Sequence, residues 1–385
     1  MAFTEPAERV ALREAVAAFA ADYGTAYFQS RARAGEYLTD LWQAAGRLGY
    51  LGVNLPEEHG GGGGGIADLA AVLEELSAAG CPTLMMVVSP AICGTVLARF
   101  GTSEQQRRWV PAIASGETIL AFAITEPDAG SNSHTITTTA RRDGDDWLLT
   151  GRKTYISGVD VAEAVLVVAR TEDARTGQLK PALFLVPTDA PGFEARRIEM
   201  DLVSPDHQFA LFLDDVRLPA DALVGDPGNG LRQLFAGLNP ERIMAAALAT
   251  GTARDALQRA VSYARQRRVW GVPIGAHQGL SHPLAQIKIE LELARLMTQK
   301  AAACYDAGDD DAAGEAANMA KYAAGEVAVR AVDQAVQTLG GNGLASEYGL
   351  GAAIATSRLA RIAPVSREMV LNFVAQHSLD LPRSY

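Results

Sequence analysis

Cysteine is scarce in this chain. Three in 385 residues (Cys81, Cys93 and Cys304) are too few and too scattered for a disulfide framework or a zinc site. They suit a reducing compartment, as small buried hydrophobes. No run approaches the roughly 18 apolar residues of a membrane-spanning helix. The opening stretch, MAFTEPAERVALREAVAAFAADY, is acidic and helix-forming, unlike a signal or transit peptide, so a cytoplasmic protein is expected. Positive charge is in deficit, 34 Lys and Arg against 45 Asp and Glu, and the net charge of −11 argues against nucleic acid or an anionic membrane as partner. Six consecutive glycines, Gly60 to Gly65, lack the Lys-Ser/Thr of a phosphate loop and no clear strand precedes them, so they read as a flexible connection between helices. The remainder, 48% hydrophobic and 21% charged, is an ordinary globular composition with material for two or three domains.

The patterning divides the chain into three. Residues 1–119 carry helical periodicity broken by Gly and Pro; Thr4 is expected to cap the first helix, with Leu12, Val16, Phe19 and Tyr23 on one face. Residues 120–224 turn to short runs such as WLLTGRKTYIS, AVLVVART, PALFLVP and FALFLDDVRLP, which predict an antiparallel β domain. Residues 225–385 are alanine-rich and helical, with repeats long enough for a four-helix-bundle-like domain. The predicted class is therefore α+β multidomain: an N-terminal helical domain, a middle antiparallel β domain and a C-terminal helical bundle.

Three short stretches carry chemistry. LNPERIMAA, from Leu238, reads as a helix start, with Asn239 as cap, Pro240 in the first helical position and Glu241 in the first turn. AFAITEPDAGSNSH, from Ala121, reads as an apolar strand ending in a turn rich in small residues and oxygens, suited to a phosphate or a heterocycle edge. GRKTYISG supplies Tyr155 and Ser157, two apart and so on one face of a strand. His134, His207 and His282 have no partners at metal-ligand spacing, and no metal site is expected.

Two of these segments, FAITEPDAGSN together with QTLGGNGLASEY, resemble the acyl-CoA dehydrogenase family, and the similarity extends over the whole chain with the same helix–strand–helix order. The resemblance implies FAD as cofactor, an acyl-CoA substrate dehydrogenated between its α and β carbons, an electron-transfer flavoprotein as acceptor, and a homotetramer built as a dimer of dimers. By position it implies that Phe122, Ile124, Thr125, Gly130 and Ser131 lie along the flavin, with Thr125 on the pyrimidine edge and Ser131 on the pyrophosphate. Tyr155 would pack on the isoalloxazine and Ser157 reach flavin N5. Arg267 would come from a neighbouring subunit to the pyrophosphate and Trp270 with it to the adenosine half, Gln278 would be a further FAD contact, and Gln337, Gly340 and Gly341 would come from the dimer partner at the adenine end. Ser366 and Glu368 would touch phosphates and ribose. Ser131, Asn239 and Arg242 are the implied substrate contacts.

The same resemblance raises a question about the base. Many members carry a glutamate on the last helical segment, where RIAPVSREM puts Pro364. A minority, including isovaleryl and long-chain types, carry it before an arginine on the helix after the β domain, and that position here is Glu241, followed by Arg242. Glu241 is therefore the implied α-proton base. Pro364 also removes the backbone N–H that the family aims at the thioester oxygen; either Val365 donates instead or activation is weaker. A flavin monooxygenase or oxidase, an enoyl-CoA reductase and a non-catalytic subunit of a mixed tetramer stay open as alternatives.

Overall fold

The computed structural model describes residues 5–173, 176–226 and 230–383; Thr4, the expected first cap, lies outside them. Helices α1 (Ala7–Ala20), α2 (Gly24–Ala34), α3 (Thr39–Arg47), α4 (Ile66–Ala78), α5 (Thr95–Phe100) and α6 (Ser103–Ser115) precede the strands. On α1, Val16 is fully buried, and Leu12 and Phe19 pack against the same core, as does Tyr23 just past the helix end. That is the face their spacing predicts. Ahead of α5, Val87–Gly94 winds as a wide π-type turn containing Pro90, a helix form frequent at functional sites.

Eight strands form the middle: β1 (Leu120–Ala123), β2 (Thr139–Asp143), β3 (Asp146–Ser157), β4 (Ala164–Glu172), β5 (Leu179–Pro187), β6 (Phe193–Ile198), β7 (Gln208–Leu218) and β8 (Leu223–Val224). They run in the order β6-β7-β3-β2-β4-β5-β8, with β1 also on β4. Pairing is antiparallel except at β4, which β1 joins in parallel and β2 meets in the single parallel pair Thr139–Arg170. β4 is buried along most of its length, which explains its continuous apolar run.

The C-terminal part holds α7 (Gly230–Gln266), a small hairpin of β9 (Arg268–Val269) and β10 (Val272–Pro273), α8 (Gln278–Asp306), α9 (Asp310–Leu339), α10 (Gly341–Leu344), α11 (Leu350–Ile362) and α12 (Arg367–Phe373). α7, α8, α9 and α11 form the bundle. The inner face of α9 is largely alanine between Ala313 and Ala335, with Gly325 among them, so neighbouring backbones approach closely with little side-chain entropy to lose.

The glycine run is not slack, which corrects the flexible connection expected of it. Gly62, Gly63 and Gly64 donate to the carbonyls of Gly52, Leu55 and Val53 at 2.8–2.9 Å. A β-carbon on Gly61 would lie 2.2 Å from the Leu55 carbonyl oxygen. Glycine stands here because two backbones touch. Beyond the run, Asp306 of α8 accepts the N–H groups of Ile66 (2.8 Å) and Ala67 (3.0 Å) and so caps α4 from another helix.

A second correction concerns α7. It begins at Gly230, so Asn239 is not a cap, Pro240 is internal and Glu241 is not in a first turn. Tertiary contact overrides the local signal. Gly237 meets Ile92 and Val96 so closely that a β-carbon would sit 3.1 Å from each, and Leu234 is buried in the same cluster. Pro240 has no N–H for the Ala236 carbonyl four residues back. The Tyr305 hydroxyl of α8 donates to that carbonyl instead, at 2.8 Å. Tyr305→Phe is accordingly expected to lower stability by about 1–3 kcal/mol, read as a lower urea midpoint with an unchanged slope. An unaltered midpoint would mean that the carbonyl finds another donor.

Candidate active site

Glu241 lies one residue past the proline of α7, with its side chain half-buried. Burial pushes its carboxyl up to about 7, against the pull of two cations, Arg242 and Lys321. The Arg242 guanidinium folds back on its own helix: Nη1 donates to the Leu238 carbonyl (3.3 Å) and to Asn239 Oδ1 (3.2 Å), while Nε has no partner among the described residues. Asn239 Nδ2 donates to the Asp310 carbonyl at 3.5 Å, linking α7 to the start of α9. From the π-type turn, Cys93 comes within electrostatic reach of Glu241, and its Sγ donates to the Ala121 carbonyl at 3.5 Å. Burial pushes the Cys93 thiol far above its usual range, so it serves as a small hydrophobe rather than a nucleophile. Phe122 and Leu234 share one buried cluster, with Ile124 and Leu238 at its edge. The end of β1 and the first turns of α7 therefore border one apolar cluster, and Cys93, bonded to β1, lies between that strand and Glu241.

The turn after β1 is held by a buried pair that sequence reasoning missed. Lys153 of β3, 1% exposed, donates to the Ile124 carbonyl (3.0 Å) and to Glu126 Oε1 (2.9 Å). Glu126 also accepts the N–H groups of Thr137 (2.6 Å) and Thr138 (2.9 Å). Burial alone would raise its carboxyl, but the hydrogen bonds from Thr138, Thr137 and Lys153 outweigh it and hold the group down at about 2. Thr154 N–H reaches the Thr125 carbonyl at 3.0 Å. Both halves of the pair stand inside quoted motifs, TEPDAGSN and GRKTYIS. Only strand pairing tells that they face each other.

On this framework Thr125 is half-buried, while Gly130 and Ser131 are exposed at the tip of the turn. Tyr155 is 60% exposed and held at φ 56°. Ile156 is buried, whereas neither Tyr155 nor Ser157 is. Gln208 Nε2 donates to Ser157 Oγ at 2.9 Å. His207, in contrast, pairs with Asp160 at 2.6 Å through Nδ1. No group of three or more His, Cys, Asp and Glu among the described residues could hold a metal, and no helix among them is long and apolar enough to cross a membrane.

The other candidates lie apart. Arg267, Trp270, Gln278, Gln337, Gly340 and Gly341 are all exposed, and Trp270 is 86% exposed at φ 51°. Arg267 stands past the far end of α7 from Glu241, roughly 39 Å along at 1.5 Å per residue. One chain therefore does not bring Arg267 and Trp270 to Glu241. Ser366 caps α12, accepting the Met369 N–H at 3.3 Å, and Glu368 is exposed. The donor set fits a flavin dinucleotide. The hydroxyls of Thr125, Ser131 and Ser157 can hydrogen-bond to its polar edges, and the uncovered Tyr155 ring offers a flat face for stacking.

Comparison with known proteins gives the family. Models described as the N-terminal, middle and C-terminal domains of acyl-CoA dehydrogenase match residues 6–117, 121–216 and 228–379. The acyl-CoA dehydrogenase FadE12 of Mycobacterium tuberculosis is 66% identical over 383 residues, covering 100% of this chain and 99% of its own. Among solved structures, a glutaryl-coenzyme A dehydrogenase in complex with glutaryl-CoA superposes with a TM-score of 0.93 at 30% identity, covering 100% of this chain and 98% of its own. A Mycobacterium smegmatis glutaryl-CoA dehydrogenase in complex with FADH2 gives 0.89 at 27% identity, covering 99% and 97%. The chain belongs to the acyl-CoA dehydrogenase family and is an FAD-dependent oxidoreductase of that class.

Proposed function

We propose that the chain converts an acyl-CoA thioester to the trans-2-enoyl-CoA, with Glu241 as the base that takes the α proton. The observation that carries this reading is the state of Glu241: a half-buried carboxyl that burial raises to about 7, with Arg242, Lys321 and the Cys93 thiol as its neighbours. A base poised near the working pH is the best compromise between being deprotonated and being basic. Cys93, buried and apolar in character, is the neighbour of Glu241 on the side of the N-terminal domain. Asn239 and Arg242, tied to each other, are the proposed contacts for the coenzyme A part, together with Ser131.

FAD, when bound, supplies the two-electron acceptor for the β-carbon hydride, and an electron-transfer flavoprotein is the proposed onward partner. Phe122, Ile124, Thr125, Gly130, Ser131, Tyr155 and Ser157 would hold its flavin end. Arg267, Trp270, Gln278, Gln337, Gly340 and Gly341 would reach it from neighbouring copies, with Ser366 and Glu368 on phosphates and ribose. The roughly 39 Å along α7 supports that division, and with it the proposal of a homotetramer whose three domains divide near residues 119 and 224.

The test is an anaerobic titration of the flavin-loaded protein with a panel of acyl-CoAs, following loss of the yellow oxidised-flavin absorbance. Bleaching by one thioester supports the reading. A fully loaded flavin that no thioester bleaches removes it, and fast reaction of reduced flavin with oxygen would favour the oxidase instead. The same assay carries a pH expectation. Only the carboxylate form of Glu241 accepts a proton, so the rate of bleaching should rise with pH through a midpoint near 7. A rate flat from pH 5.5 to 8.5 would exclude Glu241 as the titrating base.

A further inference from the structure

Lys321 is 2% exposed on the inner face of the otherwise alanine-rich α9. Burying an ammonium is costly unless partners replace its water. Its Nζ donates to the main-chain carbonyl of Val365, in the turn 363–365 that joins α11 to α12. Five residues on, Glu326 takes Arg361 at 2.8 Å and Arg367 at 3.2 Å, one on each side of that turn. Beside it, Gly325 brings α11 so near that a β-carbon would sit 2.5 Å from the Ala360 carbonyl oxygen. α9 thus grips the turn at its centre and at both ends.

The same ammonium lies within electrostatic reach of the candidate base. Its charged neighbours are Arg242 and Glu241 on α7, Glu368 on α12 and Glu326 on its own helix. Those of Glu241 are Arg242 and Lys321, with the Cys93 thiol on the side of the N-terminal domain. The Val365 N–H has no hydrogen-bond partner among the described residues, and Pro364 before it has no N–H to offer. Removing an α proton from a thioester drives negative charge onto the carbonyl oxygen, which then requires a fixed donor. We propose that Lys321 is a positioning residue of this site: by anchoring the Val365 carbonyl it fixes the Val365 N–H as the donor to the thioester oxygen. Its charge is also one of the two that pull the Glu241 carboxyl toward its ionised form. This rests on the dehydrogenation reading above.

The experiment compares Lys321→Met, Lys321→Arg and Val365→Pro in flavin-loaded protein, measuring acyl-CoA affinity and the rate of flavin bleaching at saturation across pH. Lys321→Met is expected to slow bleaching about a hundredfold with little change in affinity, and to move the pH midpoint upward because a cation beside the carboxyl is gone. Lys321→Arg should restore most of the rate and the midpoint. Val365→Pro, which keeps the carbonyl but deletes the N–H, should slow bleaching similarly and leave the midpoint in place. A Val365→Pro protein with wild-type rate overturns the donor role, whether or not Lys321→Met loads flavin. A folded Lys321→Met protein that keeps the wild-type rate and midpoint, or that loses affinity alone, overturns the role of Lys321. If the wild-type protein is bleached by no acyl-CoA, the dehydrogenation reading falls and the inference falls with it.

Discussion

Glu241→Gln is expected to slow flavin reduction by acyl-CoA by about 10²–10⁴-fold while leaving the protein folded and yellow. The amide keeps the shape of the carboxyl and cannot take a proton. Stability should move the other way. The folded-state value near 7 lies above the ordinary 4.5, so this group's contribution is fully present below about pH 4.5 and is lost as pH rises through about 7. At pH 8 the native state therefore carries a carboxylate that its surroundings disfavour, and the neutral glutamine relieves it. Thermal melts of both proteins at pH 8, beside anaerobic bleaching rates, check the pair of expectations. A Glu241→Gln protein that is bleached at the wild-type rate would remove Glu241 from the chemistry, and one that melts well below wild type would show the residue to be structural.

The largest expected loss of stability comes from Lys153→Met. Removing one member of a buried ion pair leaves the other charge uncompensated, at about 3–5 kcal/mol. Glu126 would keep the two threonine N–H groups, which puts the expectation at the lower end of that range. The damage is local as well as global. Lys153 also binds the Ile124 carbonyl, so the turn from Thr125 to Ser131 loses its tie to β3, and flavin should dissociate more readily. Glu126 gives the pH sign independently. Its value of about 2 lies below the ordinary 4.5, so it contributes stability above about pH 4.5 and loses it as pH falls through about 2. Denaturant unfolding of apoprotein and flavin content after gel filtration measure both effects. A Lys153→Met protein of unaltered stability and full flavin content would mean that the threonines alone hold the turn.

The helical ends and the strand-rich middle could be read from the chain itself, because they depend on periodicity and β-branched content, which are local. α1 shows this at Val16, and β4 in its unbroken apolar run. So could the likeness carried by FAITEPDAGSN and QTLGGNG, and the place of Glu241 beside Arg242. What local patterning misread were positions whose chemistry is supplied from elsewhere in the fold. Asn239 and Pro240 carry every local sign of a helix start, yet α7 runs through them because Tyr305, 65 residues on, donates to the freed Ala236 carbonyl. Gly60–Gly65 read as slack, yet the run is pinned to the backbone of residues 52–55. Lys153 with Glu126, and Lys321 with Val365, are pairings across the fold, and no spacing along the chain encodes them. Sequence alone determined the order of elements and supplied the proposed base, Glu241. Tertiary structure decided their electrostatics, because the proton affinity of a carboxyl depends on what surrounds it in space. For Glu241 those surroundings come from α7, α9 and the turn before α5.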